Sequence, residues 1–279
     1  MILMSVDIES WVHRPVFNIP PCEQTKQLDE GHVLKSSRII LKLFKKYQTK
    51  ATFFILGTVA EWYPELIEEI KNDGHEISIH GYTHKGLGDH NRRSFDEEIK
   101  RTVSILKKYG VKPLGYRSPF FTRADFLYEV LKKNGIVYDS SIFPIKTPLY
   151  DGTSYDCTPF IIDHGILEIP CSILKIKKLR LPVGGFYLRL FGRRMNYYLL
   201  KEIEKRNGIA VMYFHPWEIL DIPENIYIGN GKKIKLPFVK KKFAYYKIPM
   251  IKEIEYLVKK IKFTNFKGAV GHINETLLG

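Results

Sequence analysis

Apolar residues along the chain follow two alternating rhythms. Ile2–Val6, Ala51–Leu56, Glu76–Ile79, Gly115–Tyr116, Ile136–Tyr138, Leu167–Pro170 and Ile209–Phe214 are short runs that predict strands. The β-branched and aromatic Ala51–Leu56 predicts a buried one. Between them lie helix-like stretches. Leu34–Tyr47 spaces Ile39, Ile40, Leu43 and Phe44 as a helix does, and Pro64–Asn72 runs into Asp73-Gly74, a stop signal. Ser94-Phe95-Asp96-Glu97 has the form of a capping box and predicts a helix from there to about Gly110. Ala124–Asn134 and a stretch near Arg194–Arg206 complete the helical set. Strand and helix in alternation place the chain in the α/β class. Pro144–Pro159 and Pro216–Lys247 are irregular; they shape a cleft or are plain surface insertions. With no internal repeat and no low-complexity tract, one domain is the simplest organisation.

Composition sets the limits. A chain of 279 residues with 44% hydrophobic residues can bury a sizeable core. Lys and Arg number 44 against 30 Asp and Glu, a net charge of +14, which favours anionic surroundings. Much of the excess is diffuse, as in Lys45-Lys46, Lys107-Lys108, Lys132-Lys133 and Lys259-Lys260; the densest cluster spans Lys232–Lys242. A solvated surface is the plain reading, and peripheral contact with an anionic membrane or polymer is the alternative. No nucleic-acid module accompanies the charge, so nucleic acid is not an expected partner. Cys22, Cys157 and Cys171 form no CxxC and no even framework, which fits a reducing compartment. Met1–Val6 lacks a basic flank and leads into Asp7, so it reads as a first strand and not as a signal peptide. No run is long enough to span a bilayer. The expectation is a soluble, cytoplasmic protein, with self-association left open.

Candidate chemistry gathers where predicted strands end. In Ser5-Val6-Asp7-Ile8-Glu9 a strand turns both carboxylates to one face. Two acids so placed repel unless a cation or hydrogen bonds compensate; a strand end reaching solvent is the plainer reading. His80-Gly81-Tyr82-Thr83-His84 sets two histidines at i and i+4, which share a helical face and can ligate one metal. A carboxylate from another strand end would complete a two-His, one-carboxylate set suited to Zn²⁺, Fe²⁺ or Co²⁺. Arg117 closes a further strand, as does Asp139; a surface arginine and a helix N-cap are their alternatives. His215, in Phe214-His215-Pro216-Trp217, ends the late strand, and alone would be structural. Five strand ends that each deliver a polar residue match the layout of β/α-barrel active sites.

The ordered series Val-Asp-Ile-Glu, His-Gly-Tyr-Thr-His, Arg-Ser-Pro-Phe, Asp-Ser-Ser and Phe-His-Pro-Trp resembles the polysaccharide deacetylase family, also called carbohydrate esterase family 4 or the NodB-homology fold. Gly74-His75-Glu76-Ile77 fits the same series. Leu167–Pro170 and Leu181–Tyr187 resemble the branch found in exopolysaccharide loci and some peptidoglycan deacetylases. The resemblance covers roughly residues 2–220 of a single catalytic domain, leaving 221–279 as a helical extension. It implies a distorted (β/α) barrel of about seven parallel strands. By the same resemblance Asp7 is the catalytic base, Arg117 the residue that holds it, and His80 and His84 are metal ligands. His215 is then the general acid and Asp139 the acid that tunes it. The commonest family form has two adjacent Asp residues; Ile8 cannot bind metal, so Glu9 is the candidate third ligand. Phe120, Phe143 (where the family usually has Trp) and Trp217 are the implied substrate and oxyanion contacts. The implied cofactor is one divalent metal, zinc first, with Fe, Co and Ni as alternatives.

The activity so implied is removal of N-acetyl groups from a sugar in a polysaccharide, peptidoglycan or glycan precursor. Water activated by the metal and Asp7 attacks the acetyl carbonyl, and His215 protonates the departing amine. Two other readings compete: an allantoinase-like amidase on the same fold, and a carbohydrate-binding protein without activity. Retention of both histidines argues against metal-free amidases. The presence of base, ligand pair and acid together argues against binding alone.

Overall fold

The apolar runs become the strands of one curled sheet. In the computed structural model, residues 1–17, 19, 24–147, 150–222, 227–228, 232–233 and 250–278 are described. Nine strands build the sheet: β1 (Ile2–Ile8), β2 (Thr52–Ile55), β3 (Glu76–Ile79), β4 (Gly115–Tyr116), β5 (Tyr138–Asp139), β6 (Phe160–Ile162), β7 (Ile166–Glu168), β8 (Ala210–Phe214) and β9 (Phe263–Thr264). Their order is β8-β1-β2-β3-β4-β5-β7-β6, with β9 paired to the start of β1. Neighbours from β8 to β7 run parallel, and β6 turns back antiparallel on β7. Among the described residues no pairing joins β8 to β6, so the sheet is an open half-barrel.

Parallel neighbours need crossovers, and helices supply them. His32–Lys46 links β1 to β2; Gly57–Trp62 and Pro64–Asn72 link β2 to β3. Arg92–Lys108 links β3 to β4, Leu127–Lys133 links β4 to β5, and Gly185–Asn207 leads into β8. Every residue of β1 is buried, as a central strand covered on both faces requires. Alternation then sorts its side chains. Ile2, Met4, Val6 and Ile8 join the core formed with the helices. Leu3 joins the inner cluster of Phe54, Tyr138 and Phe266, and Ser5 and Asp7 share the parity of Leu3.

Phe266 comes from the C-terminal region, which is not purely helical. It contributes β9 as well as the helices Met250–Lys260 and Phe266–Leu278. The Phe266 ring lies 5.5 Å from that of Phe54 and 5.4 Å from that of Tyr138. Its N–H donates to Thr52 Oγ1 at 2.9 Å, and the Lys267 N–H donates to Glu76 Oε2 at 2.7 Å. Those acceptors stand at the first residues of β2 and β3, so this helix packs at the end of the half-barrel opposite the strand C-termini.

Three local expectations are corrected. The N-cap of the third long helix is Asn91: Ser94 N–H donates to its Oδ1 at 2.9 Å, and Asn91 N–H donates back to Ser94 Oγ at 3.0 Å. The helix therefore starts at Arg92, because Ser94 serves as the reciprocal partner and not as the cap. The helix expected near Arg194 begins at Gly185 and is broken at Gly192, whose φ of 69° only glycine adopts without strain. Residues 80–84 form a bend and not a helix. Of the cysteines, Cys171 is buried, with burial pushing its thiol up to about 12, and Cys157 is half-buried. Cys22 and most of 232–242 lie outside the described residues.

Candidate active site

The C-terminal ends of β8, β1 and β3 open onto a cavity of about 210 Å³. Asp7, Glu9, His80, His84 and His215 all line it. Asp7 and Glu9 do not reach solvent; they are 1% and 4% exposed. Each must therefore be compensated inside the protein.

For Asp7 the compensation is Arg117, which is itself fully buried. Its Nη1 donates to Asp7 Oδ1 at 2.7 Å and to Ser5 Oγ at 2.8 Å. Nη2 donates to Ser140 Oγ at 2.9 Å and Nε to the Ser140 carbonyl at 3.2 Å. The guanidinium also lies 4.3 Å from the Phe54 ring centre. Burial works against the charge of Arg117, yet Asp7 outweighs it and raises the arginine's pKa. The surface-arginine reading fails: this residue ties β1, β4 and the end of β5 into one rigid unit.

Glu9, His80 and His84 converge, with one ligand atom from each lying within 4.8 Å of the others. Glu9 Oε1 accepts from Trp217 Nε1 at 2.8 Å, while Oε2 is in ion-pair contact with His84 Nε2. His80 Nδ1 bonds the Arg117 carbonyl at 2.8 Å, so it carries the proton and Nε2 keeps a lone pair free. Burial holds the His80 imidazole down at about 4, hence neutral at pH 7, the form that ligates. For Glu9 burial raises the carboxyl, but His84 and then His215 outweigh it and hold it well below the ordinary range. A buried carboxylate in contact with one of two buried imidazoles, with no fixed cation among the three, is a donor set that fits one divalent cation.

Helical spacing does not bring the two histidines together; a bent loop does. Gly81 has φ 86° and His84 φ 64°, and the ring centres stand 5.3 Å apart. Glu98, from the helix Arg92–Lys108, accepts the backbone N–H groups of Tyr82 and Thr83 and pins the loop. Left-handed backbone recurs opposite, at Phe120 (φ 57°) and Phe121 (φ 58°). Non-glycine residues in that region concentrate at functional sites. The Phe120 ring meets His84 edge-on at 4.5 Å.

His215 Nδ1 lies 3.0 Å from Glu218 Oε2, which also accepts the His215 backbone N–H at 2.9 Å. Its Nε2 stands 3.6 Å from Glu9 Oε1. Burial works against its charge, but the Glu218 hydrogen bond together with the charges of Glu9, Glu218 and Asp7 outweighs it and raises the imidazole's pKa. The carboxylate on His215 is thus Glu218 and not Asp139. Asp139 instead accepts from Ser141 Oγ at 2.6 Å and faces Glu168 across the β5–β7 register. Both acids are fully buried, and burial raises each; Asp139 pushes Glu168 well above the ordinary range, so the pair retains a proton. Asp139 helps set the site through Ser141, whose Oγ accepts the Ser118 N–H at 2.8 Å ahead of Phe120.

Trp217 stacks on His215 at 4.8 Å, and with Phe120, Phe121 and Tyr213 it walls the cavity. Phe143 does not line it; the ring packs behind Phe121 and Tyr213, at 5.1 and 5.9 Å. Sequence reading missed Glu218, Glu98 and Arg14. Arg14 borders the cavity, 4.1 Å over the Trp217 ring, without a carboxylate bonded to it among the described residues. For Glu218 a signal existed: proline directly after His215 and a glutamate three residues on have the form of a capping box. Arg14 and Glu98 are brought in by tertiary contacts that no spacing announces.

Comparison with known proteins adds the lineage. Residues 27–138 match the family model described as polysaccharide deacetylase, and residues 140–270 match a domain of unknown function, DUF3473. Residues 27–138 are therefore similar to the polysaccharide deacetylase family. The matched segment contains His80, His84, Arg117 and Phe120; Asp7 and Glu9 precede it, and Asp139, His215 and Trp217 follow. The chain is 34% identical over 113 residues to a peptidoglycan deacetylase of Helicobacter pylori, 40% of this chain and 39% of that one. It is 33% identical over 116 residues to a peptidoglycan-N-acetylglucosamine deacetylase of Bacillus cereus, 40% of this chain and 42% of that one. The chain thus spans about two fifths of the length of these relatives. In fold it is similar to a Mycobacterium smegmatis structure assigned to the polysaccharide deacetylases, with a TM-score of 0.65 at 18% identity over 99% of this chain and 91% of that one. The peptidoglycan deacetylase PdaC of Bacillus subtilis gives a TM-score of 0.50 at 14% identity, over 99% of this chain and 92% of that one.

Proposed function

We propose that the protein is a metal-dependent N-deacetylase acting on an acetamido sugar of a polysaccharide, peptidoglycan or glycan precursor, with residues 1–279 working as one catalytic unit. The observation that carries this reading is the meeting of Asp7, Glu9, His80, His84 and His215 in one buried cavity. The relatives' printed activities support the class of reaction.

Glu9, His80 and His84 would hold the cation, zinc by preference. A bound divalent metal supplies Lewis acidity, lowering the pKa of water to about 7 and polarising a carbonyl. Asp7, oriented by its ion pair with Arg117, takes the proton of the attacking water. His215 gives a proton to the nitrogen that leaves, because an amide nitrogen does not depart as an anion. Glu218 keeps His215 charged and oriented for that step. Phe120, Tyr213 and Trp217 shield the site from bulk water, which strengthens each of these interactions.

The test pairs metal content by elemental analysis with acetate release from N-acetylglucosamine oligomers, on wild type, His80→Ala and His215→Ala. The expected result is about one metal per chain in wild type and in His215→Ala, none in His80→Ala, and acetate from wild type alone. Loss of metal in His215→Ala would make that residue a ligand and sink its role as acid.

A further inference from the structure

Six of the nine large apolar side chains exposed among the described residues fall in one stretch of chain: Ile176, Leu179, Phe186, Leu190, Met195 and Tyr198. Between 175 and 198 the same stretch carries seven Lys or Arg residues and no Asp or Glu. Two elements hold them. The first is the hairpin of Ile173–Ile176 with Leu179–Pro182, whose tip pairs Ile176 with Leu179 across a Lys177-Lys178 turn. The second is the helix from Gly185, which exposes Phe186 and Leu190 one turn apart before its break at Gly192, then Arg194, Met195 and Tyr198 after it.

Some of these cations have partners. Arg180 donates to the carbonyls of Pro144 and Thr153, Arg189 pairs with Glu218, and Arg193 pairs with Glu253. Among the described residues Lys175, Lys177, Lys178 and Arg194 face no carboxylate within ion-pair distance. The isoleucine–leucine pair at the hairpin tip leaves about half of each side chain in water, 43% of Ile176 and 54% of Leu179, and an occupant would cover that exposed apolar surface. The charge makes that occupant anionic. The large aliphatic side chains make it one that offers an apolar phase, which nucleic acid does not. Basic residues interleaved with exposed aliphatic and aromatic side chains suit a surface that lies in the headgroup region of an anionic bilayer.

We propose that residues 175–198 dock the protein on an anionic lipid bilayer. The helix adjoins the cavity wall: the Arg189 guanidinium lies 5.8 Å from the ring centre of Trp217, which lines the cavity, and 3.5 Å from Glu218. Docking would then present the cavity to a sugar carried at the membrane surface, a consequence that rests on the deacetylase reading.

The test is co-sedimentation of the full chain with phosphatidylcholine vesicles, with and without phosphatidylglycerol. Wild type is expected to bind only the anionic vesicles. Leu179→Ser/Leu190→Ser and Lys177→Glu/Lys178→Glu are each expected to lower partitioning by about tenfold or more. Both should keep the wild-type melting temperature and acetate release from soluble oligomers. Absent or variant-insensitive vesicle binding would overturn the proposal. So would a wild-type dimer that Leu179→Ser/Leu190→Ser converts to monomer, since a second copy would then be the occupant. Acetate release from soluble oligomers reports separately on the deacetylase reading: vesicle binding without it keeps the docking surface and sinks that reading alone.

Discussion

One carboxylate oxygen of Glu218 holds His215 twice, accepting from its backbone N–H at 2.9 Å and lying 3.0 Å from its Nδ1. That double contact fixes the ring's tautomer and aims Nε2 toward Glu9 and the cavity. The pKa of His215 is raised because Glu218, first through its hydrogen bond, and then Glu9 and Asp7 outweigh burial. A general acid works only while protonated, so removing Glu218 should move the alkaline limb of the rate profile to lower pH. Glu218→Gln is expected to shift that limb by about one unit and lower kcat at pH 7.5 by about tenfold or more, with KM little changed. A pH–rate profile matching wild type would remove Glu218 from the mechanism.

Arg117 and Asp7 form a buried ion pair, and losing one partner leaves a charge without compensation. Arg117→Met is expected to cost about 3–5 kcal/mol in urea unfolding. Adding Asp7→Asn should recover part of that loss, because the stranded carboxylate disappears. Strict additivity of the two changes would show that the pair is not energetically coupled.

Trp217 donates its indole N–H to Glu9 at 2.8 Å and thereby orients the carboxylate toward His84. Partners one bond removed from a ligand typically contribute 10–100-fold to metal affinity. Trp217→Phe keeps the stacking on His215 but loses the donor. Competition with a chromophoric chelator should therefore show zinc affinity about tenfold or more below wild type. Unchanged affinity would argue that Glu9 is not a ligand.

Acid should destabilise the metal-free protein through its buried histidines. Burial holds His75 down at about 4, against an ordinary 6.5. As pH falls the unfolded chain takes the proton first, so stability is complete above about pH 6.5 and drains away toward pH 4. The loss attributable to His75 is at most about 3 kcal/mol. Urea midpoints measured across this window should fall with pH, and fall less in His75→Gln. His80 at about 4 and His13 at about 3 contribute in the same sense.

Local patterning made most strands legible, because a buried parallel strand is a compact apolar run wherever it occurs. The boundaries that shifted did so for local reasons of their own. Ser94 looked like a cap because Ser and Asn compete for that role; Asn91 won since its side chain reaches the Ser94 N–H. The C-terminal strand Phe263–Thr264 was not legible, because two residues carry no period and its pairing with β1 spans more than 260 positions.

The chemistry-bearing residues were visible one at a time, as acids, histidines and an arginine at strand ends. By itself the sequence determined the alternation of β and α, the strand ends that carry Asp7, His80, Arg117 and His215, and the basic excess. Only the tertiary structure decided which of these groups touch. It paired His215 with Glu218 and set Asp139 against Glu168, it turned Phe143 away from the cavity, and it brought Arg14 and Glu98 to the site. The physical reason is range. Periodicity and capping act within a few residues, whereas a buried charge settles on whichever partner the packing of distant strands and helices brings within about 3 Å.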